Sequence, residues 1–428
     1  MRSSIDETSS RRVVLSPLRD FFRTEAAGGV VLVVAAVVAL VWANSPWKQS
    51  YFDLWHTHLS IALGDHVLDL DLQEWVNEAL MAIFFLVVGL EIKRELVEGE
   101  LRDPRTAALP AIAAVGGMLV PALIYLLINV GGGGAKGWGI PMATDIAMSI
   151  GIVSLLGSRV APSLKLFLLA LAIVDDIGAI VVIAVFYSDR IDLGSLSIAV
   201  VIVGAVALMR WAGVRFVPVY ALLGAGLWLA IHDAGLHATL AGVILGLMAP
   251  TRPYRPRELI EESALLDIST VETAAETAML ARESVSVVEW LEHLLHPWSS
   301  FVIVPLFALA NAGIPLSSTA LSHAVTSRVT WGVLVGLVVG KMLGIVGSSL
   351  LATRLGVASL PAGATWRGIA GIGAMAGIGF TVSIFVAGLA FDSNPVLENE
   401  AKIGILAASI VAGTLGALVL LRRQTSRT

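Results

Sequence analysis

Residues 167–187 read FLLALAIVDDIGAIVVIAVFY, and Asp175 and Asp176 stand side by side near the middle of this otherwise apolar run. As an α-helix, ~20 residues rising ~1.5 Å each cross the hydrocarbon of a bilayer, so the pair is expected close to the membrane midplane. A charge there costs ~2.5–3.5 kcal/mol on insertion scales, and such residues usually line an ion or proton path. The plainer reading is two aspartates satisfied by structural hydrogen bonds inside a helix bundle. A structural role needs one carboxylate, however, and this helix carries two.

The rest of the chain fits that environment. Of its 428 residues 57% are hydrophobic and only 14% charged, against about 25% charged in an ordinary soluble domain. The apolar residues come in long runs separated by short polar loops, the pattern of an all-α polytopic protein with the lipid bilayer as its solvent. There are no cysteines, which excludes disulfides and thiolate metal sites. A net charge of −5 gives no reason to expect nucleic acid as a partner. Twelve spans are expected, at 26–44, 75–96, 106–130, 138–157, 163–187, 193–210, 215–232, 236–250, 298–313, 329–353, 366–391 and 399–421. The first could pass for a signal-peptide core, but it starts late for one and many spans follow.

Topology follows from the basic residues. Arg11, Arg12, Arg19 and Arg23 precede the first span, and Arg422, Arg423 and Arg427 follow the last. The loops on their side collect 22 of the 28 Lys and Arg residues, and the other side holds Lys48, Lys136, Arg190, Arg328 and Lys402. That asymmetry places both termini in the cytoplasm: a cytoplasmic segment 1–25, a cytoplasmic tail 422–428, and a single transmembrane domain between them.

Two loops carry structure of their own. In the external loop 45–74, Leu59, Ile61 and Leu63 alternate before Gly64-Asp65, and Leu68, Leu70 and Leu72 alternate after it. This predicts a β-hairpin over 56–72. A lone hairpin is marginal in water, so it is expected to dock, with a second copy of the chain as a candidate. The cytoplasmic loop 251–297 is long and acidic, and Ser269 followed by Glu272 resembles a capping box opening a short helix.

Besides Asp175 and Asp176, two ionisable residues lie deep in spans: Asp145 and Lys341. Lys341 is a natural counter-ion for one aspartate of the pair, which leaves the other for a cation. Two spans are also interrupted. GWGIPMATDIAMSIG (137–151) contains Pro141, and GIAGIGAMAGIGFTVSIF (368–385) carries five glycines. Proline removes a helix hydrogen bond and clustered glycines weaken the ladder. Broken helices present positive N-termini and negative C-termini inside a bundle; Asp145 could balance the former and Lys341 the latter, and both roles for Lys341 stay open. Adjacent carboxylates lose their protons in coupled steps. Protonated, the pair holds no metal ion. Deprotonated, it offers hard oxygens to a small cation, with Thr144 and backbone carbonyls near the breaks as further donors. Protons and cation then compete for one site, and two protons released per monovalent cation would make the exchange electrogenic.

At these residues the chain closely resembles the NhaA family of bacterial sodium/proton antiporters. The markers are FFRTEAAGGV (21–30), WVNEALMAIFFLVVGLEIKREL (75–96), PMATDIA (141–147), LALAIVDDIGAI (169–180), GLHATLAGVILG (235–246), LEHLLHPW (291–298), PLFALANAG (305–313), GK (340–341) and GIGFTVSIF (377–385). Paired interrupted spans in two halves point to a transporter's site, a rule for which this family is itself one of the source examples. The resemblance implies twelve transmembrane helices, inverted repeats at helices three to five and ten to twelve, and broken helices four and eleven that cross near the midplane. It assigns cation and proton binding to Asp175 and Asp176, with Lys341 pairing with Asp175, Asp176 the principal cation ligand, and Asp145 and Thr144 at the crossing. It implies a homodimer joined through the hairpin, the bacterial inner membrane as location, and no cofactor beyond the transported Na⁺ or Li⁺ and H⁺. It also implies activation at alkaline pH through a cytoplasmic cluster carried over to Glu91, Arg94, Glu95, Glu292, His293 and His296. Histidine titrates near neutrality, which suits it to such a role. The chain departs from the pattern at Glu289-Trp290, where the family often has basic residues.

Three other functions are weighed against exchange. An intramembrane aspartyl protease needs its two aspartates on facing helices, and these are adjacent on one. A transporter of organic solutes needs aromatic and polar pocket residues that the Gly, Ala and Met of the interrupted spans do not supply. A channel is opposed by the buried Lys341. No enzyme chemistry is expected.

Overall fold

The computed structural model describes residues 26–63, 66–188, 191–214, 216–251 and 285–422. The segment 1–25, the Gly64-Asp65 turn, Arg190, the Ser269–Glu272 capping box with most of the 251–297 loop, and the tail beyond Arg422 lie outside the described residues.

Among the described residues eight helices are long and apolar enough to cross a membrane: Ala26–Ala43, Leu72–Val97, Pro104–Ile128, Pro162–Phe186, Leu193–Trp211, Val287–Asn311, Arg328–Arg354 and Pro395–Leu421. Two further pairs each pass as one bent span. Gly133–Met142 and Ile146–Leu155 meet at 42°, and Trp366–Met375 and Phe380–Phe391 meet at 49°. These are the two spans whose proline and glycines predict interruption. Val217–Asp233 and Thr239–Met248 are shorter apolar helices.

The sequence sets where these helices begin. Asp103, Asp192, Ser286, Ser327, Thr365 and Asn394 each accept a hydrogen bond from a backbone N–H two or three residues further on. Each satisfies an N–H that helix geometry leaves orphaned. Pro104, Pro162 and Pro395 sit in the first turn, where a missing N–H costs nothing.

The chain forms two compact units. The first comprises 26–77, 103–187 and 300–422. Lipid gives apolar helices no hydrophobic reason to associate, so close backbone approach and internal hydrogen bonds must hold them. Helices Pro104–Ile128 and Arg328–Arg354 meet where Gly344 lies against the carbonyl of Gly116, a place where any Cβ would collide. In the same unit Asn77 and Asn311 exchange side-chain hydrogen bonds at 2.7 and 3.3 Å, and Gln73 donates to Asn311 Oδ1 at 3.0 Å.

The expected hairpin is present in this unit as an antiparallel pair, β1 (His58–Leu63) and β2 (His66–Asp71), with Leu59 opposite Leu70 and Ile61 opposite Leu68. Leu72, expected to extend the second strand, instead opens the next helix. Asp71 caps it through a capping box with Glu74. A helix not foreseen from the sequence, Lys48–Trp55, precedes the hairpin. Its Tyr51 donates to the carbonyl of Leu309 at 2.8 Å.

The second unit comprises 78–102 and the described residues of 188–299. Its tightest contact joins Met81–Val97 to Thr239–Met248, where Gly242 lies against the carbonyl of Ala82 and Gly246 against that of Leu86. Leu193–Trp211 and Val217–Asp233 pack with Thr239–Met248 around Ala199, Leu227, Ala230, Ile231 and Ala241. Leu90, Ala249 and Val288 form a smaller cluster with Val287–Trp298.

Candidate functional site

The first unit brings the two helix breaks together. Thr144 Oγ1 lies 2.9 Å from the carbonyl of Ala376, the N–H of Asp145 donates to the carbonyl of Ile378 at 2.6 Å, and Ser383 donates to the carbonyl of Ile140 at 2.8 Å. Asp145 serves both half-helix N-termini that face this point. One carboxylate oxygen accepts from Met148 N–H at 2.9 Å, capping Ile146–Leu155. The other accepts from the N–H and hydroxyl of Thr381 at 3.0 and 2.6 Å, at the start of Phe380–Phe391. A carboxylate is the group that a helix N-terminus favours, and here one residue accepts from both of them.

Asp175 and Asp176 lie beside this crossing on Pro162–Phe186, both buried. Neighbouring helix positions point about 100° apart, so the two carboxylates face different surroundings. Lys341 Nζ donates to Asp175 Oδ2 at 2.5 Å, and both side chains are fully shielded from solvent. A π-helical turn, Gly336–Gly340, immediately precedes Lys341; single turns of this kind are frequent at functional sites. Gly336 fits against Pro141 and Gly340 against Pro121, each at a distance no Cβ would allow.

Thr144 completes the group, its Oγ1 being 2.7 Å from Asp175 Oδ2. A hydroxyl has one proton, so it cannot donate to Asp175 and to the Ala376 carbonyl at once. Removing a charged pair from water costs several kcal/mol per ion, which is offset only when the remaining lone pairs are also satisfied. Here they are not: Asp175 Oδ1 is buried with no hydrogen-bond partner among the described residues. The arrangement therefore offers an unused hard oxygen on a carboxylate whose other oxygen meets a threonine hydroxyl and a lysine, with a second buried carboxylate on the next residue of the same helix. Hard oxygens of this kind suit a small hard cation. Of the two roles left open for Lys341, the contact present is that with Asp175.

The second unit holds the other predicted cluster. Arg94 pairs with Glu292 and lies 3.7 Å from Glu95; His296 lies 4.0 Å from Glu91. Glu292 Oε2 is buried without a hydrogen-bond partner among the described residues. His293 is exposed and joins none of these pairs. His237, at the start of Thr239–Met248, lies 3.9 Å from Glu78, whose carboxylate also accepts from Ala238 N–H at 3.1 Å.

Thr381, Ser383 and the Ala376 carbonyl belong to the crossing and were not anticipated as single residues. The signal was present in GIGFTVSIF, where hydroxyls stand two and four residues after the last glycine. Pattern alone does not say that these reach across to the other break.

The family model described as Na⁺/H⁺ antiporter 1 matches residues 19–420. The chain is 47% identical over 419 residues to the Na(+)/H(+) antiporter NhaA of Rhodopirellula baltica, covering 95% of this chain and 94% of the relative. It is 46% identical to the Na(+)/H(+) antiporter NhaA 2 of Sorangium cellulosum, with 96% and 91% covered. It is 45% identical to the NhaA 2 of Syntrophotalea carbinolica, with 96% and 97% covered. A helical membrane chain with two broken spans, matched over nearly its whole length, belongs to the Na⁺/H⁺ antiporter 1 family.

Proposed function

We propose that this protein exchanges cytoplasmic Na⁺, or Li⁺, for external protons across the bacterial inner membrane, electrogenically, and that Asp175, Asp176, Thr144 and Lys341 form the exchange site. The observation that carries the reading is the buried Lys341–Asp175 pair beside the helix breaks, with one Asp175 oxygen unused. Family membership supports sodium/proton exchange as the activity.

The mechanism needs no chemistry beyond ligand competition. In the paired state Lys341 neutralises Asp175, and Asp176 is the principal cation ligand. A cation entering the site draws on Asp176, the free Asp175 oxygen and the Thr144 hydroxyl, and weakens the hold of Asp175 on Lys341. Lysine without its counter-ion in so dry a place gives up its proton. One proton thus leaves from the Asp–Lys pair and one from Asp176, two for each monovalent cation. If the site faces one side of the membrane at a time, this competition alone enforces exchange.

The two shorter apolar helices complete the eight straight and two bent spans to twelve. This supports the twelve-helix count; the bent spans then fall at positions four and eleven, which fits inverted repeats. An even count with the asymmetry of basic residues favours both termini in the cytoplasm. Asp145 balances the half-helix N-termini at the crossing. The cluster of Glu91, Arg94, Glu95, Glu292 and His296 fits a pH-responsive group, with His293 outside its present contacts. The half-exposed apolar face of the hairpin, Leu59 and Ile61, fits a homodimer contact.

The test is proton release from purified protein. Added to weakly buffered detergent-solubilised protein at alkaline pH, Na⁺ releases protons from the parent and none from Asp176→Asn. Equal release from both would remove Asp176 from the site.

A further inference from the structure

The first half of the broken span, Gly133–Met142, is a ten-residue 3₁₀ helix. Such helices seldom run beyond three or four residues because their hydrogen bonds are poorly aligned. The glycines and Pro141 of this one weaken it further. Something outside the segment has to hold it, and two tyrosines do. Tyr125, near the end of Pro104–Ile128 and completely buried, donates to the carbonyl of Gly134 at 2.7 Å. Tyr187, the residue after the helix that carries Asp175 and Asp176, donates to the carbonyl of Lys136 at 2.7 Å and accepts from the N–H of Gly139 at 3.0 Å. Each phenol sits where a glycine leaves space: a Cβ on Gly137 would run into Tyr125 Oη, and one on Gly139 would come within 2.7 Å of Tyr187 Oη. Between these points Trp138 packs edge-on against Phe186, with centroids 5.0 Å apart and planes at 87°.

We propose that Tyr125 and Tyr187 are positioning residues: their hydroxyls clamp the first half of the broken span to the two helices beside it and thereby hold Thr144 against Asp175. The proposal rests on the exchange reading given above. Thr144 stands two residues beyond the end of the segment, so slack in the 3₁₀ turns passes directly to its hydroxyl. A hydrogen bond tolerates only a few tenths of an ångström before it weakens, and a displacement of ~1 Å in a site can cost ~10²-fold. The tyrosine hydroxyls bond the backbone of Gly134, Lys136 and Gly139, so the clamp acts on cation affinity through the path of the segment to Thr144.

Tyr125→Phe and Tyr187→Phe, made separately, keep the rings and delete the hydroxyls. Amide hydrogen exchange of the 133–142 segment in detergent should accelerate about tenfold, as expected for losing one or two net hydrogen bonds, while the 341–354 segment keeps its parental rate. In proteoliposomes the half-saturating Na⁺ concentration for proton flux should rise about tenfold with the maximal rate within about twofold of the parent. Parental amide exchange in 133–142, or an unchanged half-saturating Na⁺ with a lowered maximal rate, would overturn the clamp. If one variant fails to fold, the other decides. If the parent itself shows no Na⁺-driven flux, the exchange reading fails, and amide exchange alone then decides the clamp.

Discussion

Lys341 and Asp175 form the feature on which the account turns, because their burial is tolerable only while each has the other. Deleting one partner leaves an uncompensated charge in a dry place, which typically costs ~3–5 kcal/mol, whereas replacing both with neutral groups of similar shape costs far less. Lys341→Met is therefore expected to lower the detergent melting temperature more than the double variant Lys341→Met with Asp175→Asn, even though the double carries more changes. A double variant less stable than the single would show that the pair is not the source of the cost. Thr144 separates hydroxyl from shape: Thr144→Ser should keep most of the parental Na⁺ affinity, and Thr144→Val should lose about tenfold, in line with the removal of one hydrogen bond to a charged group. Isothermal titration with Na⁺ measures both. Of these residues, the sequence announced Asp175, Asp176, Asp145 and Lys341, since an ionisable group in a long apolar run stands out by its cost alone. Pairing of Lys341 with Asp175 rather than with a helix-end carbonyl was not legible from composition, because it joins residues 166 positions apart on separate helices.

Among the elements, the two broken spans depend on one another. Asp145 supplies an acceptor to both half-helices, so Asp145→Ala is expected to loosen Ile146–Leu155 and Phe380–Phe391 together. The lost cap alone costs ~0.5–2 kcal/mol, and amide exchange at Met148 and Thr381 should rise in parallel. An effect confined to one half-helix would contradict the shared role. The breaks themselves were readable from Pro141 and the glycines at 368–379. Their crossing is implied by the family resemblance and not by the pattern of either span, since it joins residues more than two hundred positions apart. The hairpin shows the reverse case: the alternation of Leu59, Ile61, Leu68 and Leu70 about Gly64-Asp65 announces it, while Leu72 went to the helix because Asp71 and Glu74 form a capping box ahead of it. This element also carries a pH dependence. Asp69 is held below the ordinary carboxylate range, first by the Ser60 hydroxyl and then by His58. A depressed carboxylate stabilises the fold above its unfolded pKa of about 3.9 and ceases to do so as pH falls through the folded value. Amide protection of strands 58–71 should accordingly decline below that range, and Ser60→Ala should move the decline to higher pH. Protection that is flat across the acid range in both proteins would remove Asp69 from the account.

For the whole molecule, the proposed reading is that a bilayer-spanning helical chain stores its function in a few polar atoms at two helix breaks. Most of the architecture was legible, because lipid forbids unsatisfied backbone and so makes every span a long apolar run. Positions that build the interior were less legible: Gly116 and Gly344, or Gly242 and Ala82, look like ordinary small residues until the backbones are seen to touch. The proposed two-proton stoichiometry belongs to this scale too, and it would make exchange carry net charge. Clamping the membrane potential of proteoliposomes with K⁺ and valinomycin should therefore change the rate of Na⁺-driven proton movement, and an exchange indifferent to voltage would contradict two protons per cation. The most direct test of the central claim is Na⁺-driven proton flux in proteoliposomes reconstituted with equal amounts of the parent and of Asp176→Asn. The account predicts flux in the parent at alkaline pH and none above background in the variant; full exchange by Asp176→Asn would contradict it.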